Sequence, residues 1–129
     1  MDNPKILIVD DEIDILNIIK EYLQMIIECD VYESINGQDA IGKIKDNNFD
    51  LVILDIKMPG LSGLDVMKKI KSEENLPDIL VTTAWDSVQV ADEVISEGAT
   101  DYIVKPVMLE TLKLKIKNIL DKKGKYIEK

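Results

Sequence analysis

Short, continuous apolar runs alternate along this chain with longer segments in which apolar residues recur at helical spacing. Four of these runs, rich in Ile, Leu and Val, lie at residues 6–9, 51–54, 79–81 and 102–104. A strand without polar residues must be covered on both faces, and such burial is typical of parallel sheets. Strands that alternate with helices through short loops predict a doubly wound α/β fold with helices on both faces.

We predict five strands and five helices from this pattern. The strands are expected at residues 5–9, 30–34, 51–54, 79–81 and 102–104, and the helices at 13–27, through 40–44, at 64–71, through 88–95 and at 108–122. Asp11 is expected to cap the first helix with Glu12 in its first turn, and Ser87 to cap the fourth. Gly98 is expected just beyond the fourth helix. Right-handed crossovers favour a flavodoxin-like parallel sheet in the order 2-1-3-4-5.

Length and composition indicate one ordinary globular domain. The chain has 129 residues, of which 46% are hydrophobic and 32% charged, which allows a sizeable core. We expect the domain to cover residues 1–124, with 125–129 as a C-terminal tail or the start of a linker. No apolar run reaches the roughly 20 residues that insert across a membrane, and no secretory signal is visible. The single cysteine, Cys29, is interpreted as a small half-buried apolar residue in a protein of the reducing cytoplasm.

The charge of the chain argues against direct nucleic-acid binding. The formal net charge is −9, whereas nucleic-acid binding needs clustered lysine and arginine that displace counterions. Seven lysines crowd the C-terminal end of the sequence, at positions 113, 115, 117, 122, 123, 125 and 129. We favour a solvated helix face, with cations near a helix C-terminus, over a binding patch.

Polar side chains follow the apolar runs at the points where the predicted strands end. Asp10 and Asp11 follow the first run and Asp55 the third strand. The carboxyl ends of neighbouring parallel strands lie side by side, so these carboxylates are expected to meet in one crevice. Three close carboxylates repel one another unless a cation neutralises them, and carboxylates with water and phosphate oxygens are ligands that suit Mg²⁺. Each aspartate alone could equally cap a helix or close a turn.

Two further residues at strand ends could act on a phosphoryl group. Lys105 precedes Pro106, and such a bond is a candidate for the cis isomer, which would aim the lysine over the carboxylates. Thr83 could donate a hydroxyl hydrogen bond to a phosphoryl oxygen. Taken alone, a lysine at a strand end is usually a solvated surface residue, and a threonine there usually satisfies local backbone.

Together these segments resemble the receiver domain of two-component response regulators over essentially the whole chain. The resemblance is carried by four segments, which are Ile-Val-Asp-Asp-Glu at 8–12, Leu-Asp-Ile-Lys-Met-Pro-Gly at 54–60, Thr-Ala at 83–84, and Asp-Tyr-Ile-Val-Lys-Pro at 101–106. Each segment is short and common, but their joint order and spacing on strand ends are specific.

The resemblance implies a phosphorylation-dependent signalling switch that is not an enzyme acting on other substrates. Asp55 would be the phosphoacceptor, and Mg²⁺ would be held by Asp10, Asp11, Asp55 and the backbone carbonyl of Lys57. Lys105 would pair with the phosphoryl group. The phosphoryl donor would be a sensor histidine kinase or a phosphotransfer protein, since this chain contains no histidine. On phosphorylation Thr83 would move to the phosphoryl group and Tyr102 would rotate into the vacated space.

Other parts of the function are less closely prescribed by the resemblance. Lys57 and Trp85, two residues beyond Asp55 and Thr83, are expected to flank the phosphoryl oxygens. We hypothesise that Trp85 obstructs water and lengthens the life of the acyl phosphate. The partner is expected to be a downstream protein effector or a C-terminal output domain, with a homodimer also open. The expected contact face is formed by the fourth helix, the last strand and the last helix.

Three competing functions are weighed against this one. A flavodoxin-type FMN site needs a loop that cradles phosphate after the first strand, and Asp10-Asp11-Glu12 would repel it. An aspartyl-phosphate hydrolase often has a second aspartate two residues after the nucleophile, where this chain has Lys57. A receiver-like interaction module that works without phosphorylation is the remaining alternative, although it does not need the five polar residues at the strand ends.

Overall fold

The structure, a computed structural model, describes residues 2–84 and 88–129 of the chain. Within that part of the chain five strands alternate with five helices, in the order predicted. The elements are β1 (Lys5–Val9), α1 (Ile13–Ile26), β2 (Asp30–Ser34), α2 (Gly37–Asp46), β3 (Leu51–Asp55), α3 (Gly63–Ile70), β4 (Asp78–Thr83), α4 (Val88–Ser96), β5 (Asp101–Val104) and α5 (Leu109–Lys122).

The strands form one parallel sheet in the order β2-β1-β3-β4-β5. This order confirms the predicted flavodoxin-like arrangement. β1 and β3 are adjacent at the centre of the sheet, with Val9 opposite Leu54. The carboxyl ends of β1 and β3 therefore lie at the same edge of the sheet. Asp10, Asp11 and Asp55 are located at this edge.

The two faces of the sheet are covered by different helices. Leu7, Val9 and alternate residues of β3 and β4 belong to one buried cluster with α2, α3 and Val94 of α4. Ile6, Ile8 and the intervening strand residues belong to a second cluster with α1 and α5. Because side chains alternate across a strand, continuous apolar runs supply both clusters at once.

Side-chain caps mark the starts of α2 and α3, whereas the cap predicted for α1 is wrong. The Asn36 side chain accepts a hydrogen bond from Asp39 N and caps α2, while Ser62 and Asp65 form a capping box at α3. Asp11 was predicted to cap α1, but the N-cap is Glu12, and its side chain makes no capping bond. The Glu12 amide instead donates to Asp10 Oδ1 at 2.9 Å, since Asp10 closes the turn between β1 and the helix.

The end of α4 follows the prediction made from its glycine. Gly98 has a φ of +112°, a conformation that glycine adopts without strain. The Ala99 amide donates to the carbonyl of Val94 at 2.9 Å and so closes the helix end. The predicted cap at the other end, Ser87, lies outside the described residues.

The remaining fold predictions concern the cysteine, the membrane and the C-terminus. Cys29 is partly buried as predicted, and burial raises the pKa of its thiol to about 11. None of the helices in the described part of the chain combines the length and apolar character that a membrane span requires. The boundary placed after residue 124 stays a prediction, but residues 125–129 pack against the domain and are not frayed.

Candidate functional site

Three carboxylates meet at the carboxyl edge of β1 and β3. Asp10, Asp11 and Asp55 each offer one oxygen within 4.8 Å of the others. Asp10 and Asp55 are buried, at 2% and 3% exposure, whereas Asp11 is exposed to solvent. This donor set fits Mg²⁺, which binds through one or two carboxylates and keeps several waters or phosphate oxygens. The structure thus brings together the aspartates that the sequence placed on separate strands.

Lys105 reaches the carboxylates from the end of β5. Its Nζ lies 3.5 Å from Asp10 Oδ2 and 3.4 Å from Asp55 Oδ1, with the lysine side chain 18% exposed. The bond from Lys105 to Pro106 is cis, as its sequence context suggested. The backbone amide of Lys105 donates to the carbonyl of Thr83 at 2.6 Å, which fixes the lysine to the end of β4.

The electrostatics of this group shift two of its pKa values. Burial raises the pKa of Asp55 to about 6; the charge of Asp10 adds to this, while Lys105 opposes it. Burial alone would lower the pKa of Lys105, but the carboxylates of Asp55 and Asp10 outweigh it and hold that pKa above its usual value. A carboxylate kept close to its titration range beside a cation is a candidate functional group.

Backbone hydrogen bonds position Asp55 and the loop that follows it. The amide of Lys57 donates to Asp55 Oδ1 at 3.3 Å. The amide of Ile56 donates to the carbonyl of Thr82 at 3.0 Å, and the amide of Gly63 donates to the carbonyl of Ile56 at 2.8 Å. The loop between β3 and α3 is therefore tied at both ends to backbone next to the phosphoacceptor candidate.

Gly63 permits the closest of these approaches, and sequence reasoning missed its role. A Cβ at this position would lie 2.5 Å from the carbonyl oxygen of Asp55 and 2.8 Å from Cα of Ile56. Both atoms belong to backbone that cannot rotate away. The sequence pattern showed only a chain break before a helix, whereas a glycine at the first helical position after a serine cap was the available signal for close backbone contact.

We predict that Gly63→Ala destabilises the protein by about 2 kcal/mol and weakens Mg²⁺ binding, because the added methyl group must push the backbone of Asp55 aside. Gly42→Ala is the matched control, since a Cβ there meets no atom within 4 Å and should stabilise α2 by about 0.5–1 kcal/mol. Urea unfolding with and without Mg²⁺ measures both effects. Equal stability of the two variants would contradict this account of Gly63.

Thr83 and Tyr102 lie on the same face of the sheet. Tyr102 is opposite Val81 in the register of β4 and β5, and Thr83 is two residues beyond Val81. Side chains opposite one another and two apart in sequence share a face. Thr83 is buried, and Tyr102 is half-buried against the cluster that includes α3 and α4. Their placement is compatible with the predicted coupling, which stays a prediction.

Of the two residues predicted to flank the phosphoryl oxygens, Lys57 lies in the described part of the chain. Lys57 is exposed in the loop after β3, two residues beyond Asp55. Trp85 lies outside the described residues. The roles assigned to both stay predictions.

The raised pKa of Asp55 makes a prediction about stability and pH. A carboxyl whose pKa is higher in the folded protein favours folding while it is protonated, and that contribution is lost as pH rises through about 4 to 6. At neutral pH without metal, Asp55→Asn should therefore stabilise the protein by about 1–2 kcal/mol. Thermal unfolding across this range, with exposed Asp46→Asn as control, tests it. A variant less stable than the parent at neutral pH would contradict the assignment.

Comparison with known proteins identifies the family. The family described as "Response regulator receiver domain" matches residues 6–117 of the chain. This chain belongs to that family. Receiver domains are signalling domains of two-component systems. The matched range includes Asp10, Asp11 and Asp55.

Curated relatives of this receiver domain include proteins of very different length. Chemotaxis protein CheY-3 of Vibrio cholerae is 35% identical over 123 residues, covering 93% of this chain and 94% of CheY-3. Transcriptional regulatory protein CiaR of Streptococcus pneumoniae is 30% identical over 124 residues, covering 96% of this chain but 54% of CiaR. A cyclic di-GMP phosphodiesterase of Thermotoga maritima is 35% identical over 115 residues, covering 89% of this chain and 30% of that protein. The receiver domain thus spans about half, or less, of several relatives.

Solved structures agree with the fold of this receiver domain. A CheY-like response regulator receiver domain protein from Methanospirillum hungatei superposes with a TM-score of 0.87 at 30% identity, covering 96% of this chain and 98% of that chain. CheY4 of Vibrio cholerae gives a TM-score of 0.85 at 30% identity, covering 92% and 100%. Both likenesses confirm the predicted family and its doubly wound sheet.

Proposed function

We propose that this receiver domain accepts a phosphoryl group on Asp55 and so switches the binding of a partner protein. The observation that carries the proposal is the position of Asp55, buried between a cation and two further carboxylates. Its Oδ1 lies 3.4 Å from Lys105 Nζ and within the three-carboxylate group of Asp10 and Asp11. A metal ion and a lysine on either side of one carboxylate suit the charge that a phosphoryl group brings.

The carboxylates of Asp10, Asp11 and Asp55 and the backbone carbonyl of Lys57 are the ligands that we propose for Mg²⁺. Mg²⁺ bound there would supply positive charge that offsets the repulsion among the carboxylates and the negative charge of a phosphoryl group. Asp11 is the exposed member of the set, so it is well placed to act through a water molecule. Asp10 is held by its bond to the Glu12 amide, which leaves its second oxygen, Oδ2, towards Lys105.

Phosphoryl transfer would make one bond and break one. An oxygen of Asp55 attacks the phosphorus of a phosphohistidine, the phosphorus–nitrogen bond breaks, and the imidazole leaves with its electron pair. Lys105 Nζ then pairs with an oxygen of the transferred group. This chain contains no histidine, and we propose that the donor histidine belongs to a kinase or a phosphotransfer protein.

The switch would act through the shared face of Thr83 and Tyr102. A phosphoryl group adds a charge of about −1.5 to −2 and strong acceptor oxygens, and the Thr83 hydroxyl is positioned at the end of the strand beside β3. Movement of Thr83 would open space into which Tyr102 would rotate, and this rotation would alter the surface formed by α4, β5 and α5. We propose this surface for a downstream effector, an output domain or a second copy of the chain, in a cytoplasmic setting.

Trp85 supplies a test of the proposed access to the acyl phosphate. If its side chain hinders the attack of water on phosphorus, Trp85→Ala should shorten the lifetime of phosphorylated Asp55 by about threefold to tenfold. The lifetime is measured by loss of label after the phosphodonor is removed. Lys57→Ala is measured in the same way as a comparison, since Lys57 is the other residue predicted to flank the phosphoryl oxygens. An unchanged or longer lifetime for Trp85→Ala would end this hypothesis.

The experiment that tests the function is phosphorylation by a small phosphodonor such as acetyl phosphate, followed by intact-mass measurement. We expect one phosphoryl adduct that requires Mg²⁺ and does not form when a chelator is added before the phosphodonor. An absence of adduct at every Mg²⁺ concentration would favour the alternative, a receiver-like module that binds its partner without phosphorylation.

A further inference from the structure

A second group of carboxylates lies at the opposite edge of the sheet, where the strands begin. Asp50 directly precedes β3, and Asp78 is the first residue of β4. Two lysines after α5 contact them, with Lys123 Nζ 3.1 Å from Asp78 Oδ2 and Lys125 Nζ 2.7 Å from Asp50 Oδ1. The C-terminal lysines were predicted from the sequence to form a solvated helix face. Two of them, Lys123 and Lys125, instead form ion pairs with aspartates at the starts of strands.

Asp50 is the centre of this second group. Its Oδ2 accepts a hydrogen bond from the Lys5 amide at 2.9 Å, and its carbonyl accepts one from Lys123 Nζ at 2.7 Å. The side chain is 13% exposed. Burial alone would raise the pKa of Asp50, but the bonds from Lys125 and the Lys5 amide outweigh it and hold the pKa below its usual value. The ion pair with Lys125 thus favours the charged form of a largely buried carboxyl.

Beyond Lys125 the chain pairs through its backbone with the end of α1. The amide of Glu28 donates to the carbonyl of Ile127 at 2.8 Å, and the amide of Lys129 donates to the carbonyl of Ile26 at 3.0 Å. These two bonds flank an antiparallel bridge between Ile27 and Glu128. The segment therefore lies extended along the connection between α1 and β2.

Side chains of the same segment cover the cluster between α1 and α5. Tyr126 is partly buried against that cluster, which includes fully buried Ile27. Lys117 Nζ lies 5.7 Å from the centre of the Tyr126 ring, and Lys113 Nζ lies 3.4 Å from Glu128 Oε1. Contacts to α1, to α5 and to the start of β3 thus all come from a segment of seven residues, 123–129.

We infer that residues 123–129 form a strap that closes the amino-terminal edge of the sheet and binds the end of α5 to the end of α1. The strap combines backbone pairing, an aromatic side chain over the core, and ion pairs with Asp50 and Asp78. It lies at the opposite edge of the sheet from Asp55. Because part of its binding is electrostatic and near the surface, that part weakens as salt rises.

Removal of residues 125–129 tests the strap. The truncated protein should lose at least about 3 °C from its thermal midpoint. Its Glu28 amide, deprived of the Ile127 carbonyl, should exchange with solvent at least about tenfold faster in the native state. The exchange measurement is local, so it reports on the strap separately from global stability. An unchanged midpoint, or a Glu28 amide that stays protected, would overturn the inference.

Single substitutions separate the electrostatic part. Lys125→Met should lower the thermal midpoint by a smaller amount, and the difference should shrink from low to high salt. Lys122→Met is the control, since this exposed lysine of α5 has the same charge and lies three residues away. A loss equal to that of Lys122→Met, or one that is unaffected by salt, would contradict the role of the Asp50 pair. A dimer that disappears on truncation would also overturn the inference, by showing that the segment binds a second copy.

Discussion

Asp55→Asn is expected to reduce Mg²⁺-dependent phosphorylation by a small phosphodonor by at least about a hundredfold, because the amide is a poor nucleophile towards phosphorus. Asparagine has the size and shape of aspartate, so the fold and the contacts around β3 should remain. The raised pKa of Asp55 predicts in addition that this inactive variant is more stable than the parent without metal. Loss of labelling together with a gain in stability would separate chemistry from folding.

The control for this substitution is Asp46→Asn, which removes one exposed carboxylate at the end of α2. It should be labelled as fast and as completely as the parent, since the net charge changes equally in the two variants. If Asp55→Asn is labelled to the same extent as Asp46→Asn, the phosphoacceptor is another residue and the proposed function fails.

Lys105→Met is expected to cost about 2–4 kcal/mol of unfolding free energy in metal-free buffer at about pH 8. The lysine bridges Asp10 and Asp55, which are both almost fully buried. Without it, two desolvated carboxylates face each other with no cation between them. Methionine retains most of the volume of the lysine side chain, so the loss reports on charge more than on packing.

The pH dependence of this loss has a definite sign. Removing Lys105 takes away the attraction that opposes the raised pKa of Asp55, so that pKa should rise further. The variant is then destabilised most at high pH, and the difference from the parent shrinks as pH falls and the carboxyls take up protons. Urea unfolding at several pH values measures it, with Lys122→Met as control. A loss that is constant with pH, or that Mg²⁺ does not reduce, would contradict the electrostatic account.

The fold was predictable because its signals are local and repeat along the chain. Continuous apolar runs at 6–9 and 51–54 specify strands buried on both faces, and the handedness of crossovers leaves few strand orders. The error in the fold prediction was the cap of α1, which was misplaced by one residue. Asp11 and Glu12 are adjacent and both can begin a helix, and only the bond from the Glu12 amide to Asp10 shows which turn forms.

The site was predictable to the extent that it follows from strand ends. Asp10 and Asp55 had to meet once β1 and β3 were neighbours. Lys105 follows β5, which lies two strands from β3, so its position over the carboxylates was expected only from the candidate cis bond and the family resemblance. The approach of Gly63 to the Asp55 backbone and the pair of Lys125 with Asp50 were missed. Lys125 and Asp50 are 75 residues apart in the sequence, and residue type and spacing do not encode such a contact. The approach of Gly63 did have a local signal, namely a glycine directly after the Ser62 cap.

The central claim is that Asp55 carries the phosphoryl group, and locating the modified residue tests it most directly. After incubation with acetyl phosphate and Mg²⁺, borohydride reduction converts an aspartyl phosphate to homoserine, which peptide mass mapping places in the sequence. The account predicts homoserine at position 55, in a peptide that is unchanged when Mg²⁺ is withheld. Reduction at any other position, or label that survives as a stable ester on a hydroxyl group, would contradict it.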